Sequence, residues 1–154
     1  MIETGKKAPA FTLPSDTGEK ISLSQLRGKK VVLYFYPKDN TSGCTRESCD
    51  FRDSIAPIRK TGAVVLGVSP DSVKSHAGFR AKYELPFPLL SDESKEMLTA
   101  YGVWKEKSMY GRTYMGVVRT TVIIDSTGKV ARIFPKVTVD GHVAEVLAAL
   151  KETV

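Results

Sequence analysis

The chain is 154 residues long, which suits a single domain spanning 1–154 with a core of useful size. With 42% hydrophobic and 26% charged residues it is neither disordered nor fibrous, and no apolar run reaches the ~18 residues of a membrane span. The formal charge of +6 raises the question of nucleic acid, but the cations come in short groups such as Lys6-Lys7, Lys29-Lys30 and Arg59-Lys60, with acids between them and no aromatic stripe, which argues against that partner. The start, "MIETGKKAPAFTLP", lacks the apolar stretch of a secretory signal, so the expected location is the cytoplasm, away from any membrane.

In chain order, "FTLPSDTGEKISLSQLRGKK" predicts a short strand, a turn around Asp16-Thr17-Gly18, a second strand and a helical turn ending at Gly28. Residues 31–36, "VVLYFY", form a continuous apolar run rich in β-branched and aromatic residues, suited to a buried central strand. A helix over 42–60 should follow, with Ile55 and Ile58 inward and Pro57 kinking or shortening it. Residues 63–69 predict a second buried strand, 72–83 a helix, and 93–101 another helix with Asp92 or Ser94 as its cap. Two strands, 117–124 and 129–134, flank the turn "DSTG", and an amphipathic helix over 141–151 ends the chain. This order predicts an α/β fold, a central mixed sheet with helices on both faces and an N-terminal β-hairpin.

Both cysteines of the chain lie in "PKDNTSGCTRESC", residues 37–49, directly after the first buried strand. In open α/β folds reactive groups gather at the carboxyl ends of strands, where the next helix begins. Cys44 is placed there, and unpaired N–H groups and the positive dipole end of a helix favour a thiolate. Lys38, Arg46 and Arg52 add positive charge, whereas Glu47 opposes it; Thr41 brings a hydroxyl and Gly43 permits close backbone approach. The plain alternative is two small helix residues, one buried and inert. A zinc site lacks ligands, because beyond the cysteines only His76 and His142 remain, both on predicted helices and read as surface or helix-face residues far from the loop. A thioredoxin-type disulfide exchanger would carry C-x-x-C and a proline before the hairpin strands. This chain has C-x-x-x-x-C, and Arg119 in "VVRTTVIID" stands before the strand, a cation suited to charge developing on an oxygen. A peroxide-directed thiol, a disulfide exchanger and a non-enzymatic basic binding module all remain open on the residues alone.

The sequence resembles a peroxiredoxin. The active-site pattern P-x-x-x-T-x-x-C-x-x-E matches at Pro37, Thr41, Cys44 and Glu47, and the later arginine followed by Thr matches at Arg119. The likeness is closest to the bacterioferritin comigratory protein, or peroxiredoxin Q, subfamily. It runs through "APAFTLPSDTG", "DNTSGCTRESCDFRD", "GVSPDSVKSHAGF" and "MYGRTYMGVVRTTVIID", and Ser42 departs from the subfamily's usual proline. The resemblance implies a thioredoxin-like fold and reduction of hydrogen peroxide and organic hydroperoxides by Cys44, through a sulfenic acid. It further implies that Cys49 resolves this acid to an intramolecular disulfide, which a thioredoxin or similar dithiol then reduces. Thr41, Gly43, Cys44 and Arg119 would bind the peroxide, Pro37 would shield the sulfur, and Glu47 would orient Arg119. No metal, haem or flavin is implied, and a monomer is expected.

Overall fold

A five-stranded mixed sheet in the order β5-β4-β3-β8-β9 organises the molecule, of which the computed structural model describes residues 2–153. Its central strand β3 (Lys30–Phe35) pairs in parallel with β4 (Ala63–Ser69), and β4 in parallel with β5 (Leu89–Ser91). On the other side β3 pairs antiparallel with β8 (Thr120–Ile124), which pairs antiparallel with β9 (Val130–Phe134). Because strand side chains alternate with period 2, the apolar run after Lys30 divides between two cores. Val32, Tyr34 and Tyr36 enter one with Phe51, Ile58, Phe79, Val146 and Leu150. Val31, Leu33 and Phe35 enter the other with Phe11, Met97, Leu98 and Tyr101.

The first core is covered by α1 (Ser42–Asp53), α2 (Ile55–Lys60), α3 (Val73–Tyr83) and α5 (His142–Glu152). The second is covered by the short α4 (Glu96–Ala100) and the N-terminal segment, whose strands β1 (Thr12–Pro14) and β2 (Lys20–Ser22) form their own antiparallel pair. That hairpin docks against the exposed edge of β5: Arg80 grips both oxygens of Asp16 at 3.0 and 3.1 Å, and the Leu89 N–H donates to Asp16 at 3.0 Å. It blunts a sheet edge that would otherwise offer unpaired backbone groups.

The expected helix over 42–60 is two helices. Pro57 has no N–H and its ring conflicts with the carbonyl of Asp53, so the chain breaks at Ser54 (φ −107°, ψ 11°) and restarts as α2. The expected strand over 117–124 is also interrupted. A separate hairpin, β6 (Trp104–Met109) with β7 (Arg112–Val117), ends at Val117, and Arg119 sits in the break before β8. Sequence reading missed this hairpin because most of its side chains face solvent on both sides, so no apolar alternation marks it. Its turn, Tyr110-Gly111, has positive φ at both positions, as a tight two-residue hairpin turn requires. The helix expected over 93–101 is shorter and its N-cap position is Lys95, not Asp92 or Ser94, because the chain turns through positive φ there (65°). Asp92 and Ser94 instead reach its first turn from outside, accepting from the Leu98 N–H at 2.8 Å and the Glu96 N–H at 3.3 Å. None of the described helices is long and apolar enough to cross a membrane.

One packing contact links the sheet to the site. Gly67 on β4 faces Tyr34, and a Cβ there would lie 2.7 Å from Leu89 Cδ2 and 2.8 Å from the Tyr34 ring. Tyr34 stacks on Phe51 of α1 (ring centroids 4.8 Å apart) and shares a hydrogen bond with Ser48 of α1 at 2.9 Å. Gly67→Ala is expected to lose about 1–3 kcal/mol in urea unfolding, the scale of overpacking a core. Wild-type stability in that variant would mean the sheet yields without strain.

Candidate active site

Antiparallel pairing of β3 with β8 builds the site. Phe35 at the end of β3 lies opposite Thr120 at the start of β8, so the residue before Thr120 is carried to the place where the chain leaves the sheet for α1. That residue is Arg119. Its Nη2 donates to Cys44 Sγ at 3.2 Å and its Nη1 to Glu47 Oε1 at 2.7 Å. One guanidinium thus bridges the thiol and the carboxylate, the forked geometry that lysine lacks.

Cys44, Glu47, Ser48 and Phe51 lie at i, i+3, i+4 and i+7, and all four are buried. The polar pair in this stripe is buried with the rest: Glu47 and Ser48 are both fully enclosed and satisfied in part by Arg119 and Tyr34. Glu47 Oε2 has no hydrogen-bond partner among the described residues. Burial pushes the Glu47 carboxyl up to about 7, against the pull of Arg119. A pair of this kind is poorly stabilised by charge alone, since desolvation offsets much of the attraction.

Gly43 has a steric reason. A Cβ there would stand 3.2 Å from Arg119 Nη2, so the guanidinium lies across the glycine on its way to the sulfur. The first helical backbone bond of α1 runs from Thr45 N–H to Thr41 O at 2.8 Å, which leaves the N–H groups of Ser42, Gly43 and Cys44 without helical partners at the site. Thr41 donates its hydroxyl proton to Lys38 O at 2.8 Å and makes no side-chain cap. Its donor is thus turned away from the sulfur, and the oxygen is left as an acceptor. Pro37 is half-buried at the end of the strand. Arg46 and Arg52, read as neighbours of Cys44, are engaged elsewhere: Arg46 pairs with Asp140, and Arg52 with Asp53 and the Tyr83 carbonyl.

Both cysteines are free thiols on one regular helix. Cys49 is half-buried, and burial pushes its thiol up, against the pull of Arg52.

The histidines differ from expectation. Both are buried, at 0% exposure for His76 and 3% for His142. His76 contacts the loop directly, with Nδ1 2.8 Å from Asp39 Oδ2, and His142 shares a 2.7 Å hydrogen bond with Thr121 beside the site. Desolvation, then the charge of Arg119, pushes His142 down to about 4, so it is neutral at pH 7. Sequence periodicity could not find these contacts, because they join residues 37 and 21 positions apart that only the tertiary fold brings together.

Residues 4–133 match the AhpC/TSA family. A bcp-type peroxiredoxin candidate of Coxiella burnetii is 56% identical over 149 residues, covering 97% of this chain and 99% of that protein. Peroxiredoxin Bcp of Bacillus subtilis is 49% identical over 151 residues, covering 98% and 96%. Among solved structures, the Xanthomonas campestris bacterioferritin comigratory protein, studied for alkyl peroxide reduction, superposes with a TM-score of 0.91 at 42% identity, covering 97% of this chain and 98% of that one. With the arginine-bridged thiol at the head of α1 and this likeness along nearly its whole length, the chain belongs to the AhpC/TSA family, as a peroxiredoxin of the bacterioferritin comigratory protein, or peroxiredoxin Q, kind.

Proposed function

We propose that this peroxidase acts through Cys44 as attacking thiolate and Cys49 as resolving thiol, within one domain. The observation that supports this reading is the 3.2 Å contact from Arg119 to the Cys44 sulfur at the open N-terminus of α1. The thiolate attacks one peroxide oxygen; the S–O bond forms as the O–O bond breaks, and the departing oxygen leaves as water or alcohol after taking a proton. Arg119 and the N–H groups of Gly43 and Cys44 stabilise the charge that develops there. Thr41, its own proton held by Lys38, accepts the hydrogen bond of the incoming peroxide. Pro37 limits water at the sulfur, and Glu47 keeps the Arg119 fork in place.

Resolution needs a change of shape. Residues five apart on a helix have Cα atoms about 8–9 Å apart and turned by ~140°, and a disulfide tolerates only about 7 Å with facing Cβ atoms. The first turns of α1 therefore unwind once the sulfenic acid forms. Unwinding returns Glu47 and Ser48 to water, so polar burial makes this segment cheaper to open than an apolar helix face would be. It also exposes Cys49, relieving the desolvation that holds its proton. The Cys49 sulfur then bonds to that of Cys44 and water departs, and a thioredoxin-like dithiol reduces the disulfide. The reading includes a monomer in the cytoplasm, with hydrogen peroxide and organic hydroperoxides as substrates.

A thiol count tests it. Wild type is expected to lose both thiols to one equivalent of hydrogen peroxide, and Cys49→Ser to complete one reduction and stop as a sulfenic acid when thioredoxin is the reductant. Hydrogen exchange over residues 41–53 should rise on oxidation of the wild type. Sustained turnover by Cys49→Ser, or equal protection in both redox states, refutes the pairing.

A further inference from the structure

The loop between β3 and α1 carries a second buried constellation that the peroxide chemistry does not use. Asp39, two residues before Thr41, is 5% exposed and its carboxylate meets three side chains. Tyr36, directly after β3, donates to Oδ1 at 2.6 Å, Ser75 of α3 donates to Oδ2 at 2.7 Å, and His76 Nδ1 lies 2.8 Å from the same Oδ2. Burial pushes the Tyr36 phenol well above its ordinary range, which keeps it a donor. The Asp39 N–H is held in turn by Asp71 Oδ2 at 2.8 Å, and Asp71 by Ser69 of β4 at 2.7 Å.

The protons on His76 follow from its partners. Its Nε2 lies 2.9 Å from the carbonyl oxygen of Leu90, which can only accept, so Nε2 carries a hydrogen. Its Nδ1 faces a carboxylate oxygen that already receives Ser75, so both ring nitrogens point at oxygen acceptors. The ring is fully enclosed and the carboxylate nearly so, and polar groups buried in this way persist only when they are paired and hydrogen-bonded. The same atoms of Asp39, Asp71 and His76 lie within 4.8 Å of one another, as in a cation site, but hydroxyl donors and a carbonyl already engage them.

Between this clamp and the thiol stand four residues, among them Asn40 at φ 62° and Thr41, whose hydroxyl bonds back to Lys38 O. A non-glycine residue at positive φ is held there by its surroundings. Ser42 supplies no proline ring to stiffen the turn, so the anchoring comes from Asp39.

We propose that Asp39 is a positioning residue for the attacking thiol, held by a doubly protonated His76, and that this buried ion pair keeps residues 37–41 fixed while the first turns of α1 open and re-form. The clamp binds the loop to β3, β4, β5 and α3, none of which must move for a disulfide to form. Thr41 and the first N–H groups of α1 then return to one geometry after each cycle. This inference rests on Cys44 being the attacking thiol.

Nitrogen NMR of the reduced wild-type chain, which has two histidines, reads the clamp directly. At pH 7 one ring is expected to carry protons on both nitrogens (His76) and the other to be neutral (His142). An unprotonated Nδ1 on His76 overturns the proposal without any variant. Asp39→Asn keeps the shape of the side chain but removes its charge. It is expected to strip one ring proton from His76 and to slow single-turnover peroxide reduction about 10- to 100-fold, the scale of a misplaced reacting group. Asp39→Ala should be slower still where it folds. A folded Asp39→Asn protein that reacts within about threefold of wild type, a difference well under 1.4 kcal/mol, overturns the positioning role. In that outcome wild type still consumes peroxide; a wild type that does not would instead refute the assignment of Cys44.

Discussion

Cys44→Ser is expected to abolish peroxide reduction while leaving the fold unchanged. Serine differs by one atom and its hydroxyl can still receive Arg119, so the buried position stays hydrogen-bonded and α1 keeps its inner face. What disappears is the soft nucleophile. A serine hydroxyl needs an adjacent base to attack an O–O bond, and the groups around this position cannot serve: Arg119 is cationic, Thr41 is turned to Lys38, and Glu47 is engaged by Arg119. Peroxide consumption with excess dithiol should fall to the rate of the reductant alone, with the circular dichroism spectrum and melting temperature retained. Residual turnover in this variant would move the chemistry to Cys49.

Arg119→Ala is expected to slow the first, peroxide-consuming step by roughly 10²–10³, the scale for removing one donor to a developing oxyanion. A rate within about threefold of wild type would make the arginine structural. The same variant carries a pH signature. Glu47 is already raised to about 7 by burial, and removing Arg119 removes the group that pulls it down. A carboxyl whose folded-state value exceeds its unfolded value near 4.5 stabilises the fold fully below that unfolded value, and this contribution is lost as pH rises through the folded value. In the wild type the loss therefore falls between about 4.5 and 7. In Arg119→Ala it extends higher, because Glu47 must hold its proton or be a buried, unpaired charge. The stability deficit relative to wild type should be smaller at pH 5 than at pH 8 in urea unfolding. A deficit independent of pH would show that Glu47 reaches water once the arginine is gone.

Much of this was legible in the amino-acid order because the relevant signals are local. The run "VVLYFY" had to be a buried strand, Pro57 had to interrupt a helix, "DSTG" had to turn, and a cysteine placed just after a central strand had to sit at a helix start. The resemblance added Thr41, Glu47 and Arg119 by motif, and the structure brings Arg119 onto Cys44 and Glu47 as that pattern implied. Local signals end where contacts cross the sheet. Arg119 lies 75 positions from Cys44, and only the antiparallel register of Phe35 with Thr120 closes that distance. His76 and His142 read as surface or helix-face residues because a helix of mixed polarity does not announce which face it buries, and α3 and α5 bury theirs against the loop and β8. The hairpin of β6 and β7 escaped for the opposite reason, since a strand with two wet faces leaves no periodic trace. The candidate residues for the chemistry were thus legible in the sequence and its resemblance. Which charges meet, which are shut away from water, and what anchors the loop were decided by tertiary packing, because burial and long-range register belong to the assembled sheet and not to any stretch of chain.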